Sequence, residues 1–177
     1  MMSIQRPGRT IAASPTHFSS MRSIAVLILC LSVCTSVVAQ WRYKTSDDKM
    51  RGTKTKVAEL RSTNRAQLDF PYRGGSTLEL TVRKSDKEED PDVIFWLDRG
   101  QIPCLSDCSI SAKFDNDEVK EWEGSGPQSH RSDTIFVDSS KDFLARLKSA
   151  KRLTVEILIF NHGRFQYTFN TAGLKWE

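Results

Sequence analysis

The chain predicts a mainly β fold, an antiparallel β-sandwich or open barrel of about nine or ten short strands with one helix near residues 140–150. Three observations predict it. Apolar residues recur with a period of two along most of residues 41–176, the spacing of half-buried strands. The alternating runs are short and are separated by Gly, Pro, Asn and Asp, which supply turn chemistry. A helical period shows in one place, over residues 139–152.

Each element has its own signal. Trp41 and Tyr43 open a first strand, and Arg51-Gly52 marks a turn. Residues 53–62 read as a strand or a short helix, with Val57 and Leu60 as weak apolar anchors. Leu68 and Phe70 alternate before Pro71, and Arg73-Gly74-Gly75 turns. Leu78, Leu80 and Val82 alternate with Glu79, Thr81 and Arg83, a strand with one wet face. Residues 84–91 form a charged hairpin tip. Val93-Ile94-Phe95-Trp96-Leu97 is apolar without alternation, so both its faces should be covered.

Ile110, Ala112 and Phe114 alternate again, and Asp115-Asn116-Asp117 turns. Residues 119–123 carry Trp122 on a further strand, 124–132 is a loop rich in Gly, Ser and Pro, and Thr134-Ile135-Phe136-Val137 is a short strand. Ser139 is placed as an N-cap with Asp142 three residues on, as in a capping box. Phe143, Leu144, Leu147 and Ala150 then form one apolar stripe, and Arg146, Lys148, Lys151 and Arg152 suit the negative end of the helix dipole. The strongest hairpin closes the chain. Leu153, Val155, Ile157 and Ile159 are followed by the Asn161-His162-Gly163 turn and by Phe165, Tyr167 and Phe169; Leu174 and Trp176 are expected to plug the end of the core.

Ahead of this domain, residues 21–39 read as a secretory signal peptide. Arg22 gives the charged start, residues 24–31 a short apolar run, and Val37-Val38-Ala39 a cut before Gln40. The run is shorter than the roughly 20 residues a spanning helix needs, so no stable membrane insertion is expected after cleavage. Residues 1–20 are polar and aperiodic and read as a non-structural extension ahead of a start at Met21. Cys30 and Cys34 follow Leu29 and Val33, a poor fit to lipid attachment. Residues 40–177 are thus expected to form a single secreted or periplasmic domain. Arg6, Arg9 and Arg22 lie ahead of the cut, so the net charge of +4 falls to about +1. A near-neutral domain has no electrostatic reason to seek nucleic acid.

Cys104 and Cys108 survive the cut. In an oxidising compartment an isolated pair is most simply a disulfide, here closing a very small loop that is worth about 2 kcal/mol. A redox pair wants two intervening residues rather than three, and a metal site wants more ligands than His130 and His162 offer. Asp115-Asn116-Asp117 begins like a calcium loop but meets Lys120 where Gly is needed and Gly126 where Glu is needed, so it reads as a turn. His130, Ser132 and Asp133 sit on a polar loop with no nucleophile elbow. His162 is expected to face solvent, and Glu88, Glu89, Asp90 and Asp92 to form a solvated tip. No catalytic, metal or cofactor residue is assigned from the sequence.

Leu78-x-Leu80-x-x-Arg83, Phe114-Asp115, Trp122, Ser132 ahead of Phe136, Phe143-x-x-x-Leu147, Leu153-x-Val155 and Phe169 followed by Gly173-Leu174 carry a resemblance over residues 78–176. In order and spacing they are similar to the periplasmic accessory proteins associated with type VI secretion, the VasI/TagO type. That pattern commonly has a cysteine after the arginine, where this chain has Lys84, and it lacks the Cys104/Cys108 loop. The resemblance implies a non-catalytic accessory or binding protein of the bacterial cell envelope whose partner is another envelope protein. The alternatives are a secreted inhibitor of a hydrolase, working through an inserted loop, and a cell-wall hydrolase.

Overall fold

The computed structural model describes residues 41–104 and 108–177. The signal-like segment 21–39, the extension 1–20, Cys30, Cys34 and the cut before Gln40 lie outside the described residues. Those residues contain nine strands and one helix. They are β1 (Arg42–Asp48), β2 (Thr53–Arg61), β3 (Leu78–Ser85), β4 (Asp92–Leu97), β5 (Cys108–Phe114), β6 (Lys120–Ser125), β7 (Thr134–Val137), α1 (Ser140–Ser149), β8 (Arg152–Ile159) and β9 (Gly163–Asn170). The strands form one open antiparallel sheet in the order β1-β2-β3-β4-β7-β6-β5-β8-β9. The mainly antiparallel β architecture with one helix is therefore as the sequence predicts.

The sheet curls until its ends meet. Beyond β2, the Thr63 N–H donates to Thr168 O at 2.7 Å, and the Asn64 side chain both accepts from Thr168 N–H at 2.8 Å and donates to Gln166 O at 2.9 Å. At the start of β1, Trp41 Nε1 donates to Thr171 O at 3.1 Å. These bonds occupy backbone groups of β9 and its extension that an open edge would leave bare.

Alternation decides which residues fill the curl. Ala58, Leu60, Leu78, Leu80, Val82, Val93, Phe95 and Leu97 are all buried on the inner face of β2, β3 and β4. α1 stoppers the curl across β4, β5 and β6. Its Phe143 is fully buried, with ring centroids 5.8 Å from Phe95, 5.0 Å from Phe114 and 4.9 Å from Trp122. Leu144, Leu147 and Ala150 are buried beside it, so the helical stripe is core. The outer face of β4 is also covered, as its unbroken apolar run predicts: Ile94 is buried and Trp96 half-buried.

Of the two readings of residues 53–62 the strand holds, over Thr53–Arg61. Several other local expectations need correction. Leu68 and Phe70 form no strand; the segment makes one isolated bridge, Ala66 to Ser76, with Leu68 buried and Phe70 exposed. Pro71 has no N–H to extend a ladder, and the turn at Gly74 and Gly75 breaks it again. Val119 is exposed and lies ahead of β6. Ser139 is the N-cap, and its carbonyl accepts from Phe143 N–H, but no capping-box bond forms. Its φ of −84° and ψ of 53° depart from the extended geometry that aims an N-cap side chain back at the helix. Cys104 and Cys108 are disulfide-bonded with Cα atoms 5.2 Å apart, joining the approach to β5 with its first residue; residues 105–107 lie outside the described residues.

Candidate functional site

The first three strands build the most distinctive surface of the molecule. Their register places Arg42 opposite Glu59, Arg61 opposite Glu79 and Arg83 opposite Asp92, all on the outer face. These charges are matched. Arg42 reaches Glu79 at 2.8 Å and Glu59 at 3.3 Å, Lys44 reaches Glu59 at 2.8 Å, and Arg83 pairs with Asp92.

The inner face behaves differently. Running from Leu60 and Ala58 down β2, the same side of the strand continues to Lys56 and Lys54. On β3, Leu78, Leu80 and Val82 continue to Lys84. Lys56 stands directly opposite Lys84, and Thr45 of β1 directly opposite Lys56. None of the ion pairs among the described residues includes Lys54, Lys56, Lys84 or Lys175.

These lysines wall a cleft of about 860 Å³. Its opposite wall is the C-terminal tail, which contributes Leu174 and Trp176, both half-buried against the core. Tyr43 fixes that wall: its hydroxyl accepts from Lys175 N–H at 2.8 Å and donates to Gly173 O at 3.5 Å. Leu174 and Trp176 pack against the core as expected, and their half-exposed surface also lines the cleft. Asp86 and Glu177 are the acidic residues of its lining.

The residues singled out from sequence lie elsewhere and are not brought together. Asp133 accepts from Trp96 Nε1 at 3.1 Å, from Arg131 at 2.8 and 3.1 Å and from Thr134 Oγ1 at 2.8 Å. Burial pushes its carboxyl up, but those hydrogen bonds together hold it below the usual aspartate value. His130 is on the same loop with its N–H bonded to Pro127 O, and no bond joins it to Asp133. The 124–132 loop is anchored rather than free: Gly124 and Ser125 belong to β6, and Pro127 and Arg131 border a hollow with Trp96 and Phe136. A Cβ on Gly124 would stand 2.6 Å from Phe136 O, so only glycine permits this approach of β6 to β7.

Asp115-Asn116-Asp117 is a turn, as expected. Asp117 N–H donates to Phe114 O at 2.9 Å, and the Asp115 carboxylate accepts from Lys151 and Arg152 N–H. His162 does not simply face solvent; it is half-buried with its ring 6.0 Å from Tyr72 in an edge arrangement. The acidic tip is partly paired, Asp90 with Lys141 and Asp92 with Arg83. Among the described residues, no group of three or more His, Cys, Asp or Glu converges as a metal-ligand set, and no helix is long and apolar enough to cross a membrane.

Sequence reasoning missed the lysine cleft. The signal was available in register: residues 54 and 56 share a parity with Ala58 and Leu60, and residue 84 with Leu80 and Val82. A core-facing row that turns into lysine over three positions is a place where the core ends and something else is met. No protein family, curated protein or solved structure matches this chain.

Proposed function

We propose that this chain is a non-catalytic binding protein of the bacterial cell envelope, of the kind its likeness to type VI secretion accessory proteins implies, and that it binds through the lysine cleft of β1–β3. One observation carries the reading: a ligand-sized concavity lined on one side by lysines with no ion-pair partner among the described residues and on the other by aromatic and aliphatic surface. A size of a few hundred to about 1,000 Å³ with mixed apolar and polar walls is the usual description of a binding site. Export through residues 21–39 accords with the Cys104–Cys108 disulfide, which the cytosol would keep reduced.

The test is site-directed photo-crosslinking in the full chain, produced in a Gram-negative host, from a photoreactive residue in place of Thr45. The expected result is a discrete envelope adduct, lost in the Lys56→Glu/Lys84→Glu variant, with no free thiol at Cys104 or Cys108. An adduct equally strong in that variant, or a chain retained in the cytoplasm with both thiols titratable, overturns the proposal.

A further inference from the structure

We infer that the cleft takes a phosphate-bearing amphiphile, one molecule at a time, with its phosphate among Lys54, Lys56 and Lys84 and its apolar part against Leu174 and Trp176. The inference rests on the reading of the cleft as the binding site and adds the chemistry of what is bound.

Charge is the first argument. Like charges directly opposite each other in a β-ladder are destabilising, yet Lys56 and Lys84 are cross-strand partners on the concave side. Lys54 lies two residues along the same row, and Lys175 comes in from the tail. No carboxylate among the described residues forms an ion pair with them, although Asp86 and Glu177 share the cleft. A bound anion offsets the cost of crowding these cations.

The residue type narrows the anion. The unpaired cations that line the cleft are all lysines. Within β1–β3 the arginines, whose planar fork suits a bidentate carboxylate, stand on the outer face and pair with Glu59, Glu79 and Asp92. Several separate ammonium groups converging from two strands match a compact group with several charged oxygens, which a phosphate is. The other wall supplies the rest. Trp176 and Leu174 are half-buried and offer an apolar surface that a free inorganic anion would leave unused. Tyr43 holds this wall through its bonds to the tail, so the two halves of the cleft are fixed relative to each other. Asp86 and Glu177 also line the cleft, and their negative charge disfavours a polyanion relative to a single phosphate head.

The experiment is calorimetric titration of the full chain with dihexanoyl phosphatidic acid below its aggregation threshold, with dihexanoyl phosphatidylcholine and inorganic phosphate as comparison ligands. Phosphatidic acid should bind at least about tenfold more tightly than either, the worth of roughly one charge-assisted contact. Its affinity should fall by roughly tenfold or more in Lys56→Glu/Lys84→Glu and weaken with added salt. Trp176→Ala should weaken phosphatidic acid and leave inorganic phosphate unchanged. Thermal unfolding of each variant is the control, and Lys56→Gln/Lys84→Gln replaces the charge reversal if that variant does not fold. Equal binding of the two lipids, undiminished binding by the charge variants, or recruitment to phosphatidic acid vesicles without binding of the dispersed lipid overturns the inference. If the lipids fail while the crosslink from position 45 still depends on Lys56 and Lys84, the ligand class falls and the binding role stands; if both fail, both fall.

Discussion

The two faces of β1–β3 carry similar numbers of cations and use them in opposite ways. On the outer face Arg42, Lys44, Arg61 and Arg83 each meet a carboxylate of a neighbouring strand. On the inner face Lys54, Lys56 and Lys84 meet none. The outer pairs are solvent-exposed on the cationic side and each is worth at most about 1 kcal/mol. The inner lysines occupy positions where the row above them is fully buried, at Ala58, Leu80 and Val82. The difference separates charge that serves folding from charge available to a ligand, and it appears only when each strand is read by parity.

The largest perturbation should fall where the inner face is filled. Phe143 touches Phe95, Phe114 and Trp122 and has no exposed surface. Phe143→Ala should cost about 3–5 kcal/mol in urea unfolding, the range for losing a buried aromatic ring. Its effect on ligand affinity at the cleft, measured well below the unfolding midpoint, should be small. A large loss of affinity at full folding would mean that the stoppered and open sectors are one unit and would break the comparison.

A smaller effect is expected from a buried polar group on the filled side. Tyr167 is fully buried, its hydroxyl has no hydrogen bond of good geometry although the Ser76 side chain is close enough to offset part of the effect, and burial pushes its phenol up to about 12. The sign follows. The unfolded chain releases this proton near pH 10, the folded chain only near 12, so the contribution is complete below about pH 10 and is lost as pH rises toward 12. Melting temperature should therefore drop between pH 10 and 12, and Tyr167→Phe should drop less over that window. Identical alkaline profiles would show that the hydroxyl is solvated in the folded protein.

Much of this was legible in the sequence because it depends on period. Two-residue alternation marks β3, β5, β8 and β9 from Leu78, Ile110, Leu153 and Phe165 onward, and the Phe143, Leu144, Leu147 stripe marks α1. The unalternating run at 93–97 foretold a strand covered on both faces. Period fails where turn chemistry interrupts it: Leu68 and Phe70 alternate, yet Pro71 and the glycine turn leave them only an isolated bridge beside them. The cap at Ser139 was placed correctly, but its bond depends on a backbone angle that composition does not reveal. The cleft was missed for a different reason. Lys54, Lys56 and Lys84 look like ordinary wet-face residues until pairing shows which side is wet. Lys84 reads in the sequence as the first residue of the charged hairpin tip 84–91, whereas it lies in β3, which runs to Ser85, and His162, expected to face solvent, packs on Tyr72 through a contact between distant segments.

The smallest expected effect is the most discriminating one. Lys56→Leu extends the Ala58 and Leu60 row by one residue and removes the like charge opposite Lys84. It takes away no hydrogen bond or ion pair, so stability should change by no more than about 0.5 kcal/mol, and in the favourable direction. Glu59→Gln on the other face removes the carboxylate shared by Arg42 and Lys44 and should cost up to about 1 kcal/mol. Urea midpoints of the two variants against the parent provide the measurement. A protein that loses nothing with Glu59→Gln but is weakened by Lys56→Leu would have its charges working the other way round, with the inner lysine serving the fold. A neutral or stabilising Lys56→Leu means that folding alone does not explain a cation there, because a leucine would serve the fold as well.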